Sequence, residues 1–440
     1  MKSLSIGLIG VGTVGRGVVN VLERNKNEIS RRTGCNINLV SASARDVNKA
    51  QAFLGESVKV YSNPLDVVKD PKVEIVIELI GGTTDAKSIL VESMRVGKPV
   101  ITANKALLAE HGNELIELAS QHNGILGYEA AVAGGIPIVK ALREGLTANS
   151  IQWVAGIVNG TTNFILTQMR DRQAGFAEAL EEAQRLGFAE ADPTFDIEGI
   201  DAAQKLSIIA ALAFGISVEP NRVFTEGITK LEPIDVNAAE DFGYRIKLLG
   251  IARRASSGIE LRVHPTLVPE KSSIAAVRGA MNAVLVQGDA VGPTLYYGAG
   301  AGAEPTASAV IADLVDISRL INSSPDQRVP YFAFEKGQMS DEPVLDIGDV
   351  VTSYYLRIRA SDRPGVLADI SRILADNNVS IEAMRQREPM GKDELVNIII
   401  LTHVTQERNI RAALERIEKL ESVTGKVVML RMEHLDFVND

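Results

Sequence analysis

The sequence predicts an α/β protein in three parts: a parallel sheet covered by helices on both faces, a mixed α+β domain, and a small ferredoxin-like sandwich. Three observations carry this. Short apolar runs alternate regularly with amphipathic ones up to about residue 140. Strands separated by long helical stretches follow, to about residue 300. The last eighty or so residues return to a compact β-α-β-β-α-β order. Regular strand–helix alternation builds a parallel sheet, and the final order is that of a split βαβ sandwich.

Each element has its own warrant. In the first part "LSIGLIG", "NINLVSASA", "VEIVIELIG", "PVITAN" and "GILGYEAAV" read as strands. The helices between them are "GRGVVNVLERNKNEI", "TDAKSILVESMRVG" and "KALLAEHGNELIELASQHN". The unbroken apolar run of "VEIVIELIG" suits a strand buried on both faces. In the second part "IQWVAGIVNG", "IELRVHPTLV", "NAVLVQGD" and "TLYYGAGAG" read as strands of a mixed sheet, and "AEPTASAVIADLVDISRLI" as a helix leading back to the first domain. "NSSPDQRVP" has linker composition, after which "SYYLRIRA" opens and "VVMLRMEH" closes the last module. The expected domains are residues 1–140 with a return helix near 304–322, residues 141–322, a linker at 323–348, and residues 349–435.

Composition narrows the function. Of the 440 residues 45% are hydrophobic and 23% charged, with a formal net charge of -10. That balance implies no basic face, so neither nucleic acid nor an anionic membrane is the expected partner. The glycine-rich start lacks the run and cleavage site of a signal peptide, and no stretch approaches the roughly 20 apolar residues of a membrane span. A single cysteine, Cys35, rules out an intramolecular disulfide and agrees with a cytoplasmic location.

Gly10, Gly12 and Gly15, with Thr13 and Val14 between the last two, form G-x-G-x-x-G between the first strand and the first helix. In that context the backbone can approach a pyrophosphate seated on the helix N-terminus, so the first part is expected to be a Rossmann-type dinucleotide-binding domain. The second strand ends near "SASARD", where Arg45 stands closer to the tip than Asp46. An arginine suits the 2′-phosphate of NADP(H). NADP(H) is therefore the preferred cofactor, with NAD(H) as the alternative and a solvated loop as the other reading of Arg45.

A second cluster lies in "GFAEADPTFDIEGIDAAQKLSIIAAL", residues 187–212. Glu190, Asp192, Asp196, Glu198 and Asp201 precede Lys205, which stands on a helix with no other charge beyond its first turn. A buried ammonium must find partners or lose its proton, and Asp201 lies one turn before it. A structural ion pair is the plain reading of Asp-x-x-x-Lys alone. The added acids on an irregular Pro/Gly stretch point to a pocket for a ligand amine, with the lysine as an acid/base group. Lys105 follows "PVITAN" at the carboxyl end of a strand, the edge at which doubly wound sheets bind ligands.

"AQRLGFAEADPTFDIEGIDAAQK" resembles the signature of homoserine dehydrogenases over its whole length, as do "GVGTVGRGV", "TANKALLA", "GYEAAVAGGIP", "NGTTNFIL" and "GAGAGAEPTASAV". The resemblance covers about the first 320 residues. It implies reversible NAD(P)H-dependent hydride transfer between aspartate 4-semialdehyde and homoserine. It makes Lys205 the proton donor, Glu190 a substrate ligand aided by Asp196 and Asp201, and Lys105 a residue between cofactor and substrate. Gly302 would join the cofactor contacts. It further implies a monovalent cation, Na+ or K+, held by main-chain oxygens of Glu129, Val132, Gly134 and Ile136. Two competitors fare worse. A phosphorylating semialdehyde dehydrogenase needs a catalytic cysteine, and Cys35 stands before the second strand, far from the ligand edge. A sensor that kept the fold has no need of Lys205, Glu190 and Lys105 together.

"YYLRIRASDRPGVLADISRILADNNVSIEAMRQRE" is similar to ACT domains. Asp362, Pro364 and Gly365 form a turn opening a helix, whose N–H groups suit a carboxylate. The resemblance implies an amino-acid effector and a homo-oligomer, dimer or tetramer; L-threonine, downstream of homoserine, is the expected effector, with a purely structural or dimerising module as the other reading.

Overall fold

The computed structural model describes residues 2–335, 337–386 and 395–435. They form two compact units. One comprises Met1–Val154, Gln204–Val223 and Met281–Glu342, the other Ala155–Ala203, Phe224–Ala280 and Pro343–Asp440.

The first unit is built on a six-stranded sheet of β1 (Lys2–Ile9), β2 (Cys35–Ser43), β3 (Lys59–Tyr61), β4 (Ile75–Glu78), β5 (Val100–Thr102) and β6 (Leu126–Gly127), in the order β3-β2-β1-β4-β5-β6. Every neighbouring pair is parallel. Strand order reverses between β1 and β4, and the carboxyl ends there open the crevice that ligands use. β4 and β5 are buried along their whole length, because helices cover both faces. The helix Ala303–Leu320 returns to this sheet, placing Ala307, Val310, Ile311, Leu314 and Ile317 in one core with Leu4, Ile6, Leu8 and Val18.

Local departures from the expected elements have local causes. "GRGVVNVLERNKNEI" divides into the helices Thr13–Arg24 and Lys26–Thr33, because Asn25 leaves helical geometry between them. "GILGYEAAV" keeps only two strand residues. The chain then turns through a short 3₁₀ segment, Glu129–Ala131, which brings a buried glutamate to the sheet edge.

The chain continues through β7 (Ile151–Ile157), β8 (Phe224–Thr225) and the hairpin of β9 (Tyr244–Ala255) and β10 (Gly258–Pro269). It returns to the first unit as the hairpin of β11 (Met281–Gly288) and β12 (Gly292–Ala299). The C-terminal module follows as β13 (Val351–Ser361), β14 (Ile381–Gln386), β15 (Leu395–Thr402), β16 (Thr405–Gln406) and β17 (Val428–Met432). Its main strands lie in the order β17-β13-β15-β14, all antiparallel. The helices Val366–Asp376 and Glu407–Ile417 fill the core beneath with Ile370, Leu374, Ile410 and Ile417. This is the ferredoxin-like arrangement.

Two features of the C-terminal half were not visible in its composition. Residues 323–348 have linker composition yet are packed. Arg328 donates to the carbonyls of Asn123 and Gly124, both at 2.9 Å. Tyr331 Oη donates to Gly124 O at 2.7 Å, and Phe332 is buried. Pro343 and Leu345 hydrogen-bond to Ile259. Nor does the last module stand apart. β17 pairs in parallel with β10 at Thr266↔Arg431 and Leu267↔Met432, so the two sheets are one. Buried charges bind the seam. Arg431 reaches Glu407 and Glu226, Glu433 takes Arg253 and Arg262, and Arg357 grips Asp235.

Candidate active site

The nucleotide half is set by three glycines with different duties. Gly10 has φ +102, and a side chain there would meet Leu79 O at 2.7 Å. A Cβ on Gly15 would sit 2.1 Å from Gly10 O, so this glycine lets the helix Thr13–Arg24 press onto the turn. Gly12 faces open space. It caps that helix with no side-chain hydrogen bond, and the first turn holds no acid. Thr13 is likewise exposed and Val14 half-buried. The helix start is thus an open cradle of N–H groups for a pyrophosphate. Gly302, with φ +127, begins the return helix, whose Ala303 O lies so near Gly17 that a Cβ there would be 2.3 Å away.

At the tip of β2, Arg45 is exposed. Asp46 caps the next helix, its Oδ1 accepting from Lys49 N at 2.9 Å. Lys105 is half-buried and begins the helix after β5. It is placed by its neighbour Asn104, whose Oδ1 accepts from Leu107 N and whose Nδ2 donates to Gly82 O. A residue the sequence reading passed over stands beside them. Glu78, at the end of β4, is wholly buried and accepts from Thr102 Oγ1 at 2.6 Å and from Ile80 N at 2.7 Å. Burial raises its pKa. It ties the loop after β4 to β5, on one side of the switch point. A lone acid ending an apolar strand was the signal available.

The loop expected to hold a cation has its own scaffold. Ala133 and Gly134 are both left-handed, at φ 55 and 44, which turns the chain sharply. The Glu129 carboxylate does not face the loop's carbonyls. It accepts from Val139 N and Lys140 N at 3.0 and 2.8 Å, while Glu129 N donates to Asp313 Oδ2 at 2.8 Å. Burial, then the Asp313 charge, pushes Glu129 up to about 7, and burial pushes Asp313 up to about 6. Of the four carbonyls, Glu129 O accepts from Val132 N at 3.5 Å and Ile136 O from Ile138 N at 2.8 Å. Carbonyl oxygen has two lone pairs, so these hydrogen bonds still leave Glu129 O and Ile136 O a lone pair each.

The acidic cluster of the second unit centres on Asn159. It caps the helix Gly160–Asp171, its Oδ1 accepting from Thr162 N at 2.9 Å. Its Nδ2 donates to Asp196 Oδ1 at 2.7 Å and to Asp201 Oδ2 at 2.8 Å. Two of the expected substrate residues are thereby brought together. Glu190 is exposed on the loop before them, held through its carbonyl by Gln184 Nε2 at 3.0 Å. Asp192 caps Thr194, and Glu198 accepts from Thr229 Oγ1. Asp201 and Lys205 occupy successive turns of the helix Ile200–Phe214, at 2% and 9% exposure. In the C-terminal module Asp362, Pro364 and Gly365 are exposed. Gly365 starts the helix at φ 97, and Gln386 Nε2 donates to Asp362 Oδ1 at 3.2 Å.

Three family descriptions match in order along the chain: "Homoserine dehydrogenase, NAD binding domain" over residues 10–129, "Homoserine dehydrogenase" over residues 137–315, and "ACT domain" over residues 354–422. A homoserine dehydrogenase of Pseudomonas aeruginosa is 52% identical over 436 residues, 99% of this chain and 100% of that protein. The chain belongs to the homoserine dehydrogenase family. Its members are oxidoreductases, and this chain carries the family's NAD-binding, catalytic and ACT domains. The crystal structure of a homoserine dehydrogenase from Thiobacillus denitrificans superposes with a TM-score of 0.94 at 59% identity, covering 99% of each chain. A hyperthermophilic archaeal homoserine dehydrogenase is more distant, with a TM-score of 0.61 at 26% identity over 72% of this chain and 98% of that one.

Proposed function

We propose that the chain interconverts L-aspartate 4-semialdehyde and L-homoserine by direct hydride transfer, with Lys205 donating the proton to the aldehyde oxygen. The observation that carries this is the pair Asp196 and Asp201, tied by one amide and followed a turn later by a buried lysine. Carboxylates held this way suit the ammonium of an amino-acid substrate, with Glu190 as a further ligand. In the low dielectric around Lys205 a cation stabilises alkoxide charge as it develops. Lys105, at the ligand edge of β5, assists proton transfer.

A bound nicotinamide supplies or accepts the hydride. Gly10, Gly12, Thr13, Val14 and Gly15 would hold its pyrophosphate, with Gly302 beside them. NADP(H) is preferred because Arg45 is exposed at the β2 tip while Asp46 is spent on a helix cap. The archaeal relative's structure is a complex with NADPH. Na+ or K+ would sit on the main-chain oxygens of Glu129, Val132, Gly134 and Ile136. The reaction serves threonine, methionine and isoleucine biosynthesis in the cytoplasm, in a homo-oligomer. No helix among the described residues is long and apolar enough to cross a membrane. The turn Asp362–Gly365 would take L-threonine as a feedback effector.

A steady-state assay with L-homoserine, varying NADP+ and NAD+ with and without L-threonine, tests these readings together. Homoserine-dependent reduction that favours NADP+ and falls with threonine is expected. No turnover removes the function. Better use of NAD+ removes the Arg45 argument. Indifference to threonine removes the feedback.

A further inference from the structure

Asn159 meets the two substrate carboxylates from the far side of the sequence, 37 and 42 residues away from Asp196 and Asp201. The residue is 4% exposed, and the orientation of its amide is assigned by a backbone donor on one side and two carboxylates on the other. Thr162 N can only donate, so Oδ1 faces it. Thr162 Oγ1 lies against the same oxygen at 3.0 Å. The two carboxylates accept, so Nδ2 and both of its hydrogens face them. No rotation of the amide satisfies these groups the other way round.

Two carboxylates within reach of one nitrogen repel each other when both are ionised. Something must hold them in place before an ammonium arrives, or the site spreads and must be reassembled at each binding event. The Asn159 amide is neutral. It orients both acids without cancelling the charge that a ligand ammonium needs, which a lysine or arginine here would do. Its own position is locked, because it is also the first residue of the cap on a helix whose side chains from Thr161 to Leu166 are buried. The helix thus transfers its rigidity to the acids through one side chain.

We infer that Asn159 is the positioning residue that spaces and orients Asp196 and Asp201 for the substrate's ammonium group. The inference rests on the reading of those two aspartates as substrate carboxylates. It adds a residue that does not touch the reacting atoms and acts through others.

The test separates capping from positioning. Serine and aspartate are both good N-caps, so Asn159→Ser and Asn159→Asp keep the bond from Thr162 N. Asn159→Ser loses the bridging amide, and Asn159→Asp replaces it with a third carboxylate facing the other two. Both proteins are purified full-length, checked for native unfolding temperature, and assayed with L-homoserine and NADP+. The expected result is a rise in homoserine KM of tenfold or more, larger for Asn159→Asp than for Asn159→Ser, with KM for NADP+ within twofold of native and a smaller change in kcat. Homoserine KM within twofold of native in a folded variant overturns the proposal. So does an equal rise in both KM values, which marks a structural role only. If one variant fails to fold, the other decides on the same criteria. Asp201→Asn is run alongside. If it leaves homoserine KM unchanged, the substrate reading itself has failed. If it raises that KM while neither Asn159 variant does, only the present inference has failed.

Discussion

Asp235 offers the sharpest energetic test of how the C-terminal module is joined to the catalytic fold. It lies in the first turn of the helix Pro233–Asp241 and is fully buried. Four donors converge on its carboxylate. Arg357 approaches with Nε on Oδ1 at 2.7 Å and Nη2 on Oδ2 at 3.1 Å. Tyr355 Oη donates to Oδ1 at 2.9 Å, and Glu232 N to Oδ2 at 3.0 Å. Asp235→Asn keeps the shape but removes the charge, and whichever way the amide turns, its NH2 faces donors. Hydrogen bonds to a charged group contribute about 1.5–3 kcal/mol each. Adding four would overshoot, since the guanidinium keeps Glu232 at 3.0 Å, an acid too exposed to replace the lost charge. Breaking a buried pair by removing one partner costs about 3–5 kcal/mol, and that is the loss expected here. Denaturant unfolding, with hydrogen exchange read at β13, measures it. In Asp235→Asn/Arg357→Met the loss should be smaller than the sum of the single losses by about 2 kcal/mol. A loss below about 1 kcal/mol for the single variant, or strict additivity in the double, refutes the claim that this pair bonds the module to the helix Pro233–Asp241.

Four further outcomes are expected. Lys205→Ala should abolish turnover while cofactor binding, followed by nucleotide fluorescence, persists. Retention of a tenth of native kcat, a barrier change of only about 1.4 kcal/mol, contradicts the proton-donor role. Glu190→Gln and Asp201→Asn should raise homoserine KM far more than cofactor KM, and equal damage to both sinks the assignment. Arg45→Ala should erode the preference for NADPH over NADH, as read from the ratio of kcat/KM values. Lys247 gives a pH prediction. Burial, with Arg170, Arg278 and Arg245 nearby, lowers its pKa to about 7. The unfolded chain keeps that proton to about pH 10.4, so it binds more protons than the native state between these values, and stability rises with pH across that window. The ceiling is about 1.4 kcal/mol per pH unit, opposed by the acceptors Asn163 Oδ1 and Val277 O on the ammonium. Lys247→Met should flatten the rise between pH 7.5 and 9.5, and an unchanged slope counts against a strained ammonium.

The sequence by itself determined what depends on near neighbours. The glycine turn was legible because Gly10, Gly12 and Gly15 act within one strand–turn–helix unit. The β-α-β-β-α-β order was legible because each strand and helix announces itself by its own period. The helix of Lys205 was legible because that lysine is the one charge beyond its first turn. The family was legible because its motifs are runs of adjacent residues.

Tertiary structure decided what depends on distant partners. Nothing in "NGTTNFIL" says that its first residue bridges two acids some forty positions later, since a capping asparagine looks the same whether its amide is used or not. Residues 323–348 look like a tether because polar and proline-rich composition reports average solvation. It cannot reveal the particular carbonyls that Arg328 and Tyr331 find. The largest difference is the seam between β10 and β17. Edge strands carry unsatisfied N–H and C=O groups, but periodicity does not name the edge that will pair with them. Nothing in the sequence marks the charges on and beside these strands for burial. Joining the two sheets buries Arg262, Arg431, Glu407 and Glu433, and burial turns ordinary surface charges into the bonds that hold the module in place.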